Sequence, residues 1–320
     1  MRGSRDDRIT VACAANGAYA MPLAVMLRSA AENLRADRHL LAYVVDDGIG
    51  SGDKRRISDS LPGNTSVEWV APARTGFSGL PLWGRMPVTT YDKMMVAQIL
   101  PRTVKKVIWL DSDVLVLGDL TELWNSANGA HTMAARDSLV PSVASRFGIA
   151  AYRDLGLPPD SQYFNAGMMV IDADLWRTDE VSRRALEYLR KYRGRVFFWD
   201  QEALNAVLAG KWKPADARWN WSASTDRVRG STSLHLGPGV LPSIIHFNGR
   251  IKPWTVHDAT EFTALWFRFL DRTAWKGWRP SRTLRRSAVA WYASSPVRSI
   301  LYPAEQWWMH LTRLFTRRYA

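Results

Sequence analysis

The sequence has one cysteine, Cys13, in 320 residues. A single thiol excludes a disulfide framework and any zinc or iron–sulfur site assembled from several cysteines. It fits a reducing compartment. Acidic side chains are scarce beside basic ones: 30 Asp and Glu face 43 Lys and Arg, for a formal net charge of +13. No G-x-x-x-x-G-K-[ST], H-E-x-x-H, C-x-x-C or G-x-G-x-x-G occurs, and no internal repeat. The P-loop, zinc-peptidase, thiol-redox and dinucleotide signatures are therefore missing. A clean membrane span is missing too. Ile9 to Leu27 carries no charge and is long enough to cross a bilayer. It is Ala-rich, however, and Asn16, Gly17 and Pro22 break it, so a strand, a loop and a helix explain it better. Asp6 and Asp7 fall where a signal peptide needs positive charge, and no apolar run leads to a small-residue cleavage site. A cytoplasmic location is expected.

Basic charge and tryptophan are in excess. Hydrophobic residues at 47% and charged residues at 23% give a globular composition. The 16 tryptophans stand out within it. The charge is uneven. Residues 281–320 hold Arg282, Arg285, Arg286, Arg298, Arg313, Arg317 and Arg318 against Glu305, so seven minus one gives +6 of the +13. Trp291, Tyr292, Tyr302, Trp307, Trp308, Phe315 and Tyr319 are interleaved with them. Arginines among amphipathic rings suit the interface of an anionic membrane. A solvated tail and a nucleic-acid contact are the competing readings of the same composition. The expected organisation is a catalytic domain over 1–275. A helical basic, aromatic tail over 276–320 would touch the inner face of the cell membrane.

Upstream of that tail, apolar runs and helical spacing alternate. Strands are expected over Ile9–Ala15, Leu40–Val45, Val67–Val70, Val104–Leu110, Ala130–Ala135, Ala166–Ile171 and Ser243–Phe247. Helices are expected over Ala20–Leu34, Asp53–Leu61, Thr90–Leu100, Val181–Tyr192, Gln201–Leu208 and Glu261–Leu270. This alternation predicts an α/β fold with a mixed, mostly parallel sheet, whose ligands lie beyond the carboxyl ends of the strands. Segments 74–88 and 138–162 read as long loops, a length often associated with function.

The most informative stretch is Val107-Ile108-Trp109-Leu110-Asp111-Ser112-Asp113-Val114-Leu115-Val116. An apolar run carries two acids toward the core, where an unpaired carboxylate is costly. In an extended chain, residues two apart share a face. Asp111 and Asp113 would then point the same way, with Ser112 opposite, and offer hard oxygens to Mg²⁺ or Mn²⁺. A turn at the strand end, with the acids as caps, is the alternative.

Three further segments follow in order: Tyr163-Phe164-Asn165-Ala166-Gly167; Trp199-Asp200-Gln201-Glu202-Ala203-Leu204-Asn205; and His246-Phe247-Asn248-Gly249-Arg250-Ile251-Lys252-Pro253-Trp254. With these four motifs, roughly Ile9 to Leu270 resembles glycosyltransferase family 8. These are the retaining nucleotide-sugar transferases, glycogenin and bacterial lipopolysaccharide α-galactosyl- and α-glucosyltransferases among them. The resemblance implies a GT-A fold, a single Rossmann-like nucleotide-binding domain.

The resemblance also implies residue roles. Asp111, Asp113 and His246 would hold the metal, with Mn²⁺ favoured over Mg²⁺ because imidazole is the softer ligand. Taken alone, His246 reads equally as a core histidine at a strand end. Gly249 would let the backbone approach a diphosphate and Lys252 would supply a cation for it. Asn165 and Ala166 would face the donor sugar, although Asn and Gly are also ordinary turn residues. Asp200 would bind donor hydroxyls, and it also reads as a helix N-cap. Gln201 would lie near the anomeric carbon. A neutral amide is a poor nucleophile, and same-face substitution is the route attributed to the family. Asp137 resembles an acid that touches sugar or acceptor. Ala14, Asn16, Tyr19 and Ser112 would line the nucleotide site. Many relatives have Asp where Asn16 stands, yet an Asn carbonyl still offers an acceptor to uracil N3–H. Many have Arg where Lys93 stands, so a bidentate fork gives way to a point charge.

The expected activity is metal-dependent transfer of a hexose from a UDP-sugar to a glycan, polysaccharide or lipopolysaccharide-like acceptor. No nucleic-acid partner is expected. A sugar-nucleotide nucleotidyltransferase is the rival enzyme, distinguished by release of pyrophosphate. A glycoside hydrolase needs two opposed carboxylates, whereas Asp111 and Asp113 adjoin. A basic nucleic-acid- or membrane-binding protein without catalysis would leave the four motifs unexplained.

Overall fold

The uncharged stretch near the start of the chain divides at its break residues. β1 (Arg8–Asn16) ends in a 3₁₀ turn at Gly17–Tyr19, and α1 (Ala20–Glu32) follows. Asn16 makes the stop: its side-chain oxygen accepts from Ala18 N at 3.1 Å and caps the turn. The computed structural model describes residues 7–82, 86–127, 129–223, 242–249, 251–255, 261–281 and 283. The expected tail, apart from 276–281 and 283, lies outside these residues.

Nine further strands are present among the described residues: β2 (His39–Asp47), β3 (Thr65–Val70), β4 (Lys106–Leu110), β5 (Val114–Val116), β6 (Thr132–Arg136), β7 (Phe164–Asp172), β8 (Trp212–Ala215), β9 (Trp221–Ser222) and β10 (Ile244–His246). The helices after α1 are α2 (Ser51–Asp59), α3 (Val96–Ile99), α4 (Leu120–Ser126), α5 (Ala173–Thr178), α6 (Val181–Lys191), α7 (Trp199–Val207) and α8 (Glu261–Leu270). Seven strands form one sheet in the order β3-β2-β1-β4-β7-β6-β8. β7 runs antiparallel to β4 and β6, and the other pairings are parallel. The sheet is therefore mixed and mostly parallel, as expected. A second sheet, β5-β10-β9, stands beside it.

Side chains alternate across the large sheet with the period of two that a strand imposes. Val11, Ile108, Leu110, Met168 and Val170 enter the core shared with α1 and α8. Ala12, Val107, Trp109, Met169 and Ile171 enter the core shared with α6 and α7. Both faces are covered, which is why the central strands read as continuous apolar runs. Burial of each large apolar side chain contributes about 1.5–3 kcal/mol.

This order positions the site. From β1 the chain adds β2 and β3 on one side, and then β4 on the other. The reversal lies between β1 and β4, where open α/β sheets bind ligands at their carboxyl ends. Asn16 ends β1 there, and Asp111 follows β4.

Three expectations are corrected. Asp111-Ser112-Asp113 is a turn between β4 and β5, not an extended strand, and Val114 N donates to Asp111 O at 3.3 Å to close it. The acids converge by turning rather than by sharing a pleat. Asp200 is not an N-cap. α7 begins at Trp199 behind Phe198, and the Asp200 carboxylate points to other partners. The predicted helix at Thr90–Leu100 is a 3₁₀ segment, Val88–Met95, followed by the short α3. In a 3₁₀ helix residues i and i+3 eclipse, so Thr90 and Lys93 reach the same carboxylate, that of Asp200.

Candidate active site

The strand ends bring the four motifs together. Asp111 N donates to Gly167 O at 2.9 Å, which sets the acidic turn beside Asn165-Ala166-Gly167. Phe247 N donates to Asp113 O at 3.0 Å, which sets the same turn beside His246. Ser112 Oγ donates to Ala14 O at 2.8 Å and ties the turn back to β1.

Asp111, Asp113 and His246 offer one ligand atom each, all within 4.8 Å of one another. His246 Nε2 stands 3.3 Å from Asp113 Oδ1 and 4.0 Å from Asp111 Oδ2. Asp113 Oδ1 is buried with no hydrogen-bond donor upon it, while Lys252 holds Oδ2. Octahedral ligands at about 2.0–2.1 Å from a small divalent cation lie about 3 Å apart when adjacent and about 4 Å when opposite, so the 3.3 and 4.0 Å separations suit one. Asp113 stays ionised: burial disfavours its charge, but the Lys252 ammonium outweighs that and holds the carboxyl below the usual range.

Gly167 makes the set possible. A β-carbon on it would lie 2.1 Å from His246 Cε1 and 2.5 Å from Nδ1. The smallest residue of the Asn-Ala-Gly motif thus makes room for the imidazole. Gly249 serves differently. Its φ of +82° lies in the left-handed region, where glycine alone is unstrained.

Lys93 is 6% exposed and joins two motifs. Its Nζ lies 2.9 Å from Asp111 Oδ1 and 3.0 Å from Asp200 Oδ2. Burial disfavours the ammonium, but these carboxylates outweigh it and raise its pKa. The Asp200 pKa is raised as well, but here burial is the cause, and Lys93 only partly offsets it. Thr90 Oγ1 donates to Asp200 Oδ1 at 2.8 Å, and Trp109 Nε1 to Asp111 Oδ1 at 2.8 Å. Lys252 is buried beside Tyr19, whose ring meets Trp254 edge-on with centroids 5.8 Å apart.

Asp137 carries four donors. Leu139 N and Val140 N reach Oδ1 at 2.8 and 3.0 Å; Asn165 Nδ2 and Gln201 Nε2 reach Oδ2 at 2.9 and 3.1 Å. These fill the lone-pair positions of a carboxylate. Gln201 is clamped at its other end by Ala166 N, which donates to Oε1 at 3.0 Å. The predicted site residues stand at the ends of β1, β4 and β10, at the starts of β7 and α7, just after β6 (Asp137) and on the 3₁₀ segment Val88–Met95 (Lys93). Sequence reasoning missed Asn220, Thr90 and Glu202. Asn220 sits in Trp219-Asn220-Trp221, a polar residue in an aromatic run, which was the available signal. Glu202 is fully buried and accepts from Ala150 N at 3.0 Å and Tyr188 OH at 2.8 Å. It anchors the loop 138–162 to α6 and α7.

Residues 10–258 match the profile of glycosyl transferase family 8. The chain belongs to this family. General stress protein A of Bacillus subtilis (strain 168) is 24% identical over 281 residues, 85% of this chain and 96% of that protein. The probable galacturonosyltransferase-like 8 of Arabidopsis thaliana is 34% identical over 179 residues, 52% of this chain and 44% of that protein. Among solved structures, an active-site mutant of LgtC superposes with a TM-score of 0.71 at 23% identity, over 90% of this chain and 100% of that one. The galactosyltransferase LgtC in complex with donor and acceptor sugar analogs gives 0.70 at the same identity and coverage. The fold is thus the GT-A-like α/β fold of LgtC, and this family 8 member is a glycosyltransferase. Among the described residues no helix is long and apolar enough to cross a membrane.

Proposed function

We propose that the enzyme moves a hexose from a UDP-sugar to a glycan or glycolipid acceptor, with retention at the anomeric carbon. A divalent cation, Mn²⁺ before Mg²⁺, would sit on Asp111, Asp113 and His246. The observation that carries this reading is the meeting of Asp113 Oδ1, buried without a donor, with His246 Nε2 at 3.3 Å. When bound, the cation neutralises charge on the departing diphosphate.

The other roles fall to neighbouring side chains. Lys252, buried on the same carboxylate, would meet diphosphate oxygens, and Gly249 would let the backbone approach them. Asn16, Ala14, Tyr19 and Ser112 line the end of β1 for the nucleoside. One lone pair of Asn16 Oδ1 remains after Ala18 N, enough for a uracil N3–H. Asp200, Lys93, Ala166 and Asn165 face the sugar. Both Asn165 Oδ1 lone pairs and one of its N–H bonds are in use, so its side chain can donate one more hydrogen bond to a hydroxyl.

Asp111, Asp113, Asp137 and Asp200 all carry partners, and Gln201 is neutral and clamped. This supports same-face substitution over a covalent sugar–carboxylate intermediate. The acceptor oxygen–carbon bond forms as the carbon–phosphate oxygen bond breaks, and the acceptor proton passes to the leaving phosphate. Asp137 would hold Gln201 and Asn165 in place. The 276–320 tail would hold the enzyme at an anionic membrane surface.

A thermal-shift panel of UDP-, GDP- and ADP-sugars with and without Mn²⁺ tests the donor, since a bound ligand raises the melting temperature. UDP-sugars should stabilise the protein only with Mn²⁺, and turnover should release UDP rather than pyrophosphate. No stabilisation by any UDP compound with Mn²⁺ overturns the reading. For the tail, removal of 281–320 should abolish co-sedimentation with anionic vesicles.

A further inference from the structure

One buried polar side chain beside the metal ligands has no role so far. Asn220 closes the 3₁₀ turn Ala217–Asn220, just before β9, and is 8% exposed. Its Oδ1 lies 3.0 Å from His246 Nδ1, and its Nδ2 lies 2.9 Å from Asn165 Oδ1.

The direction of these bonds can be worked out from one end. An ionised carboxylate only accepts, so the Asn165 atom at 2.9 Å from Asp137 Oδ2 must be the amide nitrogen. Asn165 then turns its oxygen the other way. Gly167 N, a donor at 3.0 Å, confirms this orientation. An oxygen there requires the donor end of Asn220, so the Asn220 oxygen faces His246. His246 Nδ1 must then carry hydrogen. In the neutral ring the remaining nitrogen, Nε2, bears the lone pair, and Nε2 is the atom that faces Asp113 and Asp111. The ring cannot swing to another partner, because Gly167 lies directly against it.

We propose that Asn220 is a positioning residue: it fixes His246 with hydrogen on Nδ1, so that Nε2 is presented to a divalent cation. The chain Asp137–Asn165–Asn220–His246 sets the orientation. This inference rests on the metal reading above. Outer-shell partners of this kind orient a ligating imidazole and raise its basicity.

The test is a Mn²⁺ titration of the full-length enzyme, followed by the electron paramagnetic resonance signal of free Mn²⁺, with melting temperatures recorded alongside. Asn220→Leu and Asn220→Ala remove the acceptor and should weaken Mn²⁺ binding about 10–100-fold, the usual loss for such a partner. Asn220→Asp keeps an acceptor against Nδ1 but, like Asn220→Leu, loses the donor to Asn165 Oδ1, so it should bind Mn²⁺ clearly more tightly than Asn220→Leu even where its melting temperature falls. A merely structural asparagine would not be rescued this way. The inference is overturned if Asn220→Leu binds Mn²⁺ like the wild type, or if Asn220→Asp is as weak as Asn220→Leu. Failure of the wild type itself to bind Mn²⁺ overturns the metal reading, and this inference with it.

Discussion

Gly167→Ala adds one methyl group at the point where the site is most tightly packed. The new carbon would lie 2.1 Å from His246 Cε1 and 3.0 Å from Nε2. Non-bonded carbons rest at about 3.5–4.0 Å, so the ring must retreat by about 1.4 Å, the difference between 3.5 and 2.1. It has little freedom to do so. His246 is 5% exposed, and its backbone pairs with Val114 on one side and Ser222 on the other. Its Nδ1 is held at 3.0 Å by Asn220. Overpacking of this kind costs about 1–3 kcal/mol and lowers the melting temperature. The effect on the metal is larger, since ligand distances tolerate only about 0.2 Å. Mn²⁺ affinity should fall at least tenfold and sugar transfer with it, beyond the loss in stability. Gly194→Ala is the control, because nothing lies within 4 Å of a β-carbon there. Mn²⁺ titration and thermal melting of both variants decide the matter. Wild-type Mn²⁺ affinity in Gly167→Ala would refute the placement of the imidazole against Gly167.

Two other substitutions reach different parts of the molecule. Lys93→Met leaves Asp111 and Asp200 without their shared ammonium; removing one partner of a buried ion pair costs about 3–5 kcal/mol, measurable by denaturant unfolding without metal. The pH dependence of that loss has a definite sign. Burial works against the Lys93 charge, yet Asp111 and Asp200 prevail and raise its folded pKa above the ordinary 10.5. The stability it contributes is therefore complete below pH 10.5 and fades as pH rises through the higher folded value. Unfolding free energies of wild type and Lys93→Met should converge in that alkaline range; a constant gap between them refutes the assignment. Glu202→Leu strands Ala150 N and Tyr188 OH, at about 1–3 kcal/mol for each buried group left unsatisfied. Limited proteolysis should then cut faster within residues 138–162, and unchanged cutting would show that Glu202 does not hold the loop.

The large sheet was legible because burial on both faces writes itself as apolar runs. β1, β2, β4 and β7 all appear at the expected places within a few residues. The short elements were not legible for the opposite reason. β8 and β9 have four and two residues, too few for a period to emerge. α4 and α5 announce themselves only through the caps Asp119 and Asp172. The 3₁₀ segment at Val88–Met95 was misread as an α-helix because its apolar residues fit either pitch. What fixes the tighter winding is tertiary: Asp92 is bound to Arg74, and Lys93 to Asp111 and Asp200.

The site was legible in proportion to the electrostatic cost of burying its members. Two carboxylates at the end of Val107–Leu110 could not be ignored, because a buried charge demands a partner. That demand held even though the backbone turned where an extended strand was expected, so the chemistry survived an error in geometry. Asn220 stands directly behind His246, yet an amide costs far less to bury and leaves a fainter mark. Its partners are also remote, 55 residues away at Asn165 and 26 at His246. Gly167 is fainter still: its contribution is the absence of a side chain, meaningful only once the His246 ring is seen lying against it. On the proposed reading, the acids call for a cation. The glycine and the asparagine determine whether an imidazole nitrogen can join them, and they do so through space and hydrogen-bond direction, which no local pattern of residues encodes.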